Sequence, residues 1–230
     1  MKYEVILFDA DETLFDFKKS EKQAFENSIR EFNMDYDENY HLKVYEEINK
    51  NIWLEFEQGL ITQKKLKVER FKRLSEKLNT PFDPEEFSNA YIRHLANASF
   101  LYEDSIELIK ELSKKYRLAI VTNGLKDVQS KRIGQSIIAE YFETMVISEE
   151  VQISKPNPEI FEIALNRLNF NDKSKVLMIG DSLTSDIKGG INFEIDTCWV
   201  NLNKVKNSTS IKPTYEISNL KDLTKILNNK

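Results

Sequence analysis

Five short runs of continuous apolarity constrain this chain most. They are Val5-Ile6-Leu7-Phe8, Leu118-Ala119-Ile120-Val121, Met145-Val146-Ile147, Val176-Leu177-Met178-Ile179 and Thr197-Cys198-Trp199-Val200, each ending abruptly in polar or small residues. Alternating apolarity would mark a strand with one wet face. Unbroken apolarity marks strands buried on both faces, as in a parallel sheet. Helical patterns lie between them: Ser105 to Lys115 places Ile106, Leu108, Ile109 and Leu112 at helical spacing, and Asn157-Pro158 can open a helix carrying Ile160, Phe161, Ala164, Leu165 and Leu168. A last amphipathic segment, Leu220 to Leu227, follows Ser218 as its candidate cap, and the Lys- and Asn-rich stretch Asn201 to Lys212 reads as an exposed loop. Alternating strand and helix predicts an α/β fold, a doubly wound parallel sheet built from right-handed βαβ units.

The first connection breaks the rhythm. The chain between Phe8 and Leu118 is far longer than one crossover helix requires. Ala24–Phe32, His41–Phe56, Thr62–Leu78 and Pro84–Ala96 all show three-to-four spacing, with Thr80-Pro81-Phe82-Asp83-Pro84 as a turn before the last. Residues 1–15 and 98–230 are therefore expected to form the sheet domain, and 16–97 an inserted all-helical cap.

Composition narrows the partners. There are 33 basic and 38 acidic residues, a formal charge of −5, which argues against binding a nucleic-acid polymer. No apolar run approaches the roughly 18 residues that span a bilayer, so no membrane segment is expected. The start, MKYEVILFDADE, turns acidic where an export signal would stay apolar. One cysteine excludes a disulfide framework and suits a reducing, cytoplasmic setting. The oligomeric expectation is a monomer or homodimer. If the ligand is an anion, local charge must hold it.

Ligands of such sheets bind beyond the carboxyl ends of the strands. The first run ends in Asp9-Ala10-Asp11-Glu12-Thr13, the second in Thr122-Asn123-Gly124, and the fourth in Gly180-Asp181-Ser182 with Asp186 a helical turn further on; Ser154-Lys155-Pro156-Asn157-Pro158 stands at a helix entrance. Carboxylates gathered at one edge repel unless a cation sits among them. Oxygen ligands without nearby His or Cys select a hard ion, Mg²⁺. Asp9 can then attack phosphorus to give an aspartyl-phosphate, and Asp11 can protonate the leaving oxygen and later deprotonate water. Lys155 supplies positive charge, Thr122 a hydroxyl donor, and Asn123 and Gly124 backbone N–H groups to a bound phosphate.

These motifs, in this order, resemble those of the haloacid-dehalogenase superfamily of phosphohydrolases with a helical cap between the first and second motifs. The resemblance implies a Rossmann-like core, Mg²⁺ held by the Asp9 carboxylate, the Asp11 carbonyl and the Asp181 carboxylate, and Asp186 as a nearby acid of the metal site. Asp11 favours phosphoryl chemistry, because the founding dehalogenases lack this second aspartate. Asn49–Trp53 (NKNIW), Gln58–Thr62 (QGLIT), Val146–Val151 (VISEEV), Ser185–Asn192 (SDIKGGIN) and Thr197–Asn201 (TCWVN), with Asp9–Phe15 (DADETLF), are similar to the noncanonical-pyrimidine 5′-nucleotidases of bacteria. This implies a small-molecule phosphate ester as partner: UMP, dUMP or dTMP. Sugar-phosphate or phosphoglycolate hydrolysis and phosphomutase chemistry are the alternatives on the same scaffold, and a non-enzymatic regulator the rival outside it. One departure stands out: Phe193-Glu194 occupies a place where that family carries a small residue and a glycine.

Phe15 and Phe17, just past the nucleophile motif, and Trp53 in the cap are candidate contacts for a pyrimidine ring. His41 and His94 read as surface or packing residues, Cys198 as a buried strand residue, and the basic cluster Lys64 to Arg73 as a solvated helix face.

Overall fold

A computed structural model describes residues Lys2 to Asn228; positions 1, 229 and 230 of the expected core lie outside the described residues. Among the described residues six strands form the sheet: β1 Val5–Phe8, β2 Arg117–Thr122, β3 Thr144–Ile147, β4 Val176–Gly180, β5 Asp196–Val200 and β6 Tyr215–Ile217. Their order is β3-β2-β1-β4-β5-β6, and every pairing is parallel. The continuous apolarity has its cause in two covered faces. Ile6, Phe8, Leu118, Ile120, Leu177 and Ile179 point to one face. There they pack against Leu108, Ile109 and Leu112 of α5 (Glu103–Leu112) and Leu223 and Leu227 of α10 (Asp222–Asn228). Their neighbours Val5, Leu7, Ala119, Val121, Val176 and Met178 point to the other, against Ile160, Phe161, Ala164 and Leu165 of α8 (Glu159–Arg167). Each buried side chain of this size contributes about 1.5–3 kcal/mol, and neither face can be opened without losing a whole layer.

By internal contacts the chain divides into two compact units, Met1–Phe17 with Phe100–Lys230, and Lys18–Ser99. The second contains the remainder of α1 (Phe17–Glu31), then α2 (Lys43–Glu57), α3 (Gln63–Leu78) and α4 (Pro84–Asn97). Thr62 caps α3 by accepting from the Lys65 N–H, and Asp83 caps α4 by accepting from Glu85 and Glu86 with Pro84 in the first turn. Its interior is aromatic: Phe25 stacks on Tyr45 at 4.5 Å, Tyr45 on Phe71 at 5.8 Å, and Phe87 and Tyr91 close on Phe71. Arg70, also buried, lies over Phe71 and Tyr91 and donates to Asn49. Among the described residues no helix is long and apolar enough to cross a membrane.

One local expectation is corrected, and elements without an apolar signature are added. β6 falls just past the stretch read as a loop. It has only three residues and buries only Ile217, too little for an apolar signature; reciprocal bonds between Thr197 and Thr214 and the Asn201 N–H to the Ile217 carbonyl seat it. The turn into α10 is set by Asn219, whose side chain accepts from the Lys221 N–H, rather than by Ser218. Between β2 and β3 runs α6 (Lys126–Gly134), whose polar sequence lacks a clear apolar stripe; α7 (Ser148–Val151) is a single turn after β3.

The Phe193-Glu194 departure is accommodated at the end of α9 (Lys188–Asn192). Phe193 stacks on Phe161 at 5.8 Å with the Lys173 ammonium 3.8 Å above its ring, so its bulk is used in packing. Glu194 takes the left-handed conformation itself, φ 64, with its N–H on the Ile191 carbonyl and the Ile195 N–H on Gly190. This is a Schellman closure without its usual glycine. A β-carbon there carries a penalty of about 1–2 kcal/mol, partly offset by the looser unfolded chain a glycine brings. Glu194→Gly is therefore expected to raise stability by about 0.5–1 kcal/mol, read as a higher urea midpoint, with Glu194→Ala giving no gain.

Candidate active site

β1 and β4 are neighbours in the sheet, but their chains leave toward opposite edges, and the crevice between such strands is where these sheets bind ligands. Asp9 follows β1, its N–H held by the Ile179 carbonyl at 2.8 Å. The chain then turns sharply: the N–H groups of Leu14 and Phe15 both reach the Ala10 carbonyl, and Glu12 sits at φ 56. Asp181 follows β4, its carbonyl accepting from the Trp199 indole N–H at 2.8 Å. Asp186 returns on a π-turn (Leu183–Ile187) and accepts from the Ser182 N–H at 2.9 Å. It comes so close to the strand end that a β-carbon on Gly180 would lie 2.2 Å from its carboxylate oxygen, so only glycine fits.

Carboxylate oxygens of Asp9, Asp181 and Asp186 lie within 4.8 Å of one another. Into this group reaches Lys155. Its ammonium donates to Asp9 Oδ1 at 2.5 Å and the Val121 carbonyl at 2.6 Å, and pairs with Asp186 Oδ1 at 2.7 Å. Those three partners account for the three hydrogens of an ammonium. Lys155 thus serves first to offset the carboxylates, and a phosphate would have to share it. Asn123 pins this lysine: its amide oxygen accepts from the Lys155 N–H at 2.8 Å and its amide nitrogen donates to the Lys155 carbonyl at 2.9 Å. One ammonium does not neutralise three acids. Burial, Asp186 and Asp11 push Asp9 up to about 7 against the pull of Lys155. Burial and the charges of Asp186, Asp9 and Glu12 hold Asp181 well above its ordinary value. Burial opposes the Lys155 charge, but Asp186 and Asp9 outweigh it and hold the lysine above its usual range. The all-oxygen donor set, the close carboxylates and their excess negative charge fit a hard divalent cation.

The Asp11 carboxylate stands apart from that group. It pairs with Arg132 and accepts from the Gln129 amide at 2.8 Å, and the same amide donates to the Thr122 hydroxyl at 2.9 Å. Gly124 donates its N–H to that hydroxyl at 3.1 Å and lies directly under Gln129, where any β-carbon would clash. Arg132 is wholly buried, between the rings of Phe15 at 5.0 Å and Phe17 at 5.5 Å. Phe15 is corrected as a base contact, because its ring is fully buried and used in this packing. Phe17 is half-buried beside it, and Trp53 belongs to α2 of the helical unit, edge-on to Phe56. Cys198 is buried in β5 with its thiol pushed up to about 12, no nucleophile. Gln129, Arg132 and Trp199 escape a reading of motifs. The first two lie on α6, whose weak apolar periodicity hides the helix, and the third looks like core.

The family profile of haloacid dehalogenase-like hydrolases matches residues 6–200. The chain is 35% identical to the pyrimidine 5′-nucleotidase YjjG of Escherichia coli over 99% of both proteins. It is 34% identical to the pyrimidine 5′-nucleotidase PynA of Streptococcus pneumoniae over 97% of this chain and 94% of that one. The magnesium-bound crystal structure of the HAD-hydrolase YfnB of Bacillus subtilis superposes with a TM-score of 0.94, 34% identical over the full length of both. The chain belongs to the haloacid dehalogenase-like hydrolases and is a phosphoric monoester hydrolase of that family.

Proposed function

We propose that this protein is a Mg²⁺-dependent phosphomonoesterase that hydrolyses nucleoside 5′-monophosphates with pyrimidine bases, UMP, dUMP and dTMP, through an aspartyl-phosphate on Asp9. The observation that carries the reading is the cluster of Asp9, Asp181, Asp186 and Lys155 at the carboxyl ends of β1 and β4. The full-length similarity to two pyrimidine 5′-nucleotidases supports the substrate class. Asp9, Asp181 and the Asp11 carbonyl, beside Asp186, would hold Mg²⁺, whose charge would let an anionic ester approach an anionic nucleophile.

In the first step an Asp9 carboxylate oxygen attacks phosphorus, and the bond from phosphorus to the 5′ oxygen breaks. Asp11 gives its proton to that oxygen, so the nucleoside leaves as a neutral alcohol. In the second step Asp11 takes a proton from water, whose oxygen attacks phosphorus. The bond to Asp9 breaks, inorganic phosphate departs, and Asp11 again holds its proton. The Thr122 hydroxyl and the Asn123 N–H bind the transferring phosphoryl oxygens, while the Gly124 N–H is engaged by the Thr122 oxygen. The helical unit of residues 18–99 is assigned the choice of nucleoside, since the core motifs serve many substrates.

Asp9→Asn is expected to fold normally and to lose at least about 10³-fold in turnover; wild-type phosphate release by that variant would refute the mechanism. Across a panel of UMP, dTMP, AMP, phosphoglycolate and glucose phosphates, kcat/KM is expected to be highest for the pyrimidine nucleotides. Faster release from the sugar phosphates, or transfer of the phosphoryl group to a second sugar hydroxyl, would overturn the assignment.

The metal also has a stability signature. Asp9 titrates near an ordinary 3.8 when unfolded but near 7 when folded, so between those values the folded state holds the extra proton. Stability from this group is present at low pH and lost as pH rises through 7. The metal-free protein should therefore melt lower at about pH 8 than at about pH 5, and millimolar Mg²⁺ should restore most at the alkaline end, where no proton competes. A Mg²⁺ gain independent of pH would contradict this.

A further inference from the structure

The geometry points to Gln129 as a positioning residue that holds both Asp11 and the Thr122 hydroxyl in their working orientations, its amide kept the right way round by Arg132. Gln129 and Arg132 are buried on α6. An arginine can only donate, so the Gln129 atom facing Arg132 Nη2 at 2.7 Å must be the amide oxygen. The amide nitrogen is then turned toward Asp11 Oδ2, which accepts from it, and toward Thr122 Oγ1. Its two hydrogens match these two acceptors.

The consequence at Thr122 follows from counting. Its oxygen accepts from Gln129 and from the Gly124 N–H, which occupies both lone pairs. The hydroxyl hydrogen is left as a donor, the role a phosphoryl oxygen requires. At Asp11, Gln129 and Arg132 take one carboxylate oxygen each, which sets the plane of the group and keeps it out of the Asp9–Asp181–Asp186 cluster. Gly124 is part of the same device, because a β-carbon there would lie 2.4 Å from the Gln129 amide nitrogen and displace it.

This inference rests on the phosphatase reading, and the test separates the two. Gln129→Met removes both donors at nearly constant length and volume. For UMP, whose leaving alkoxide needs a proton, kcat/KM is expected to fall by about 10–100-fold. For p-nitrophenyl phosphate, whose phenolate departs without one, the fall should be about tenfold smaller. kcat/KM reports only the steps through departure of the leaving group, so the ratio of the two substrates isolates Asp11. A merely loosened site lowers both substrates together, so an unchanged ratio overturns the proposal, as does wild-type turnover of both. Should Gln129→Met not fold, Gln129→Asn, which withdraws the amide by one methylene, is read the same way. Asp9→Asn is assayed in parallel. If that variant retains turnover, the phosphatase mechanism fails whatever Gln129 does; if it is inactive and the Gln129 ratio is unchanged, only the present inference fails.

Discussion

The structure depends on gathering like charges out of water. Asp9, Asp181 and Asp186 stand within 4.8 Å, buried or nearly so, with the Lys155 ammonium among them. With all three ionised, three negative charges face one positive, leaving two to be met by protons or by a cation. Transfer of an isolated charge into the interior is costly enough that the group changes protonation instead. The raised Asp9 and Asp181 are that response. Much nearby detail makes the cluster tolerable: the Asn123 clamp on Lys155, the missing side chain at Gly180, and the Trp199 bond to the Asp181 carbonyl. The formal charge of −5 over the chain therefore does not oppose an anionic substrate, because part of that acidity is gathered where a cation could bind and attract one.

Gln129 and Arg132 answer a different problem. In the proposed mechanism Asp11 transfers a proton and the Thr122 hydroxyl donates a hydrogen bond, so orientation matters for them more than charge. Gln129 and Arg132 supply fixed donors from a rigid helix, and aromatic rings of Phe15 and Phe17 enclose the guanidinium. Partly satisfied polar groups in a low-dielectric interior are expensive, and well-matched ones are correspondingly rigid. The carboxylate cluster and the Asp11–Thr122 pair are thus built by separate means on the same sheet edge.

The helical unit follows other rules. Its interior is a stack of aromatic rings on helices with side-chain caps, and its buried polar residues, Arg70, Asn49 and Glu21, are linked to one another. A unit with its own core can change its surface without disturbing the sheet, which is the physical basis for placing substrate choice there.

The five long strands, the doubly wound class and the presence of a helical insertion were legible in residue order. Unbroken apolar runs and three-to-four spacing are local patterns, and burial on two faces or one leaves its mark on consecutive residues. Asp9, Thr122, Lys155 and Asp181 were legible for a related reason: each stands at a strand or helix end, where a polar residue after an apolar run is conspicuous. Tertiary structure decided what local pattern does not encode. β6 is held mainly by backbone and threonine bonds to β5, Glu194 is forced left-handed by the closure of α9, and Gln129 on a polar helix meets Asp11 across the whole insertion. Sequence recorded where the chain must be buried; only packing could decide which distant side chains face one another, because a hydrogen bond between residues 11 and 129 leaves no periodicity behind.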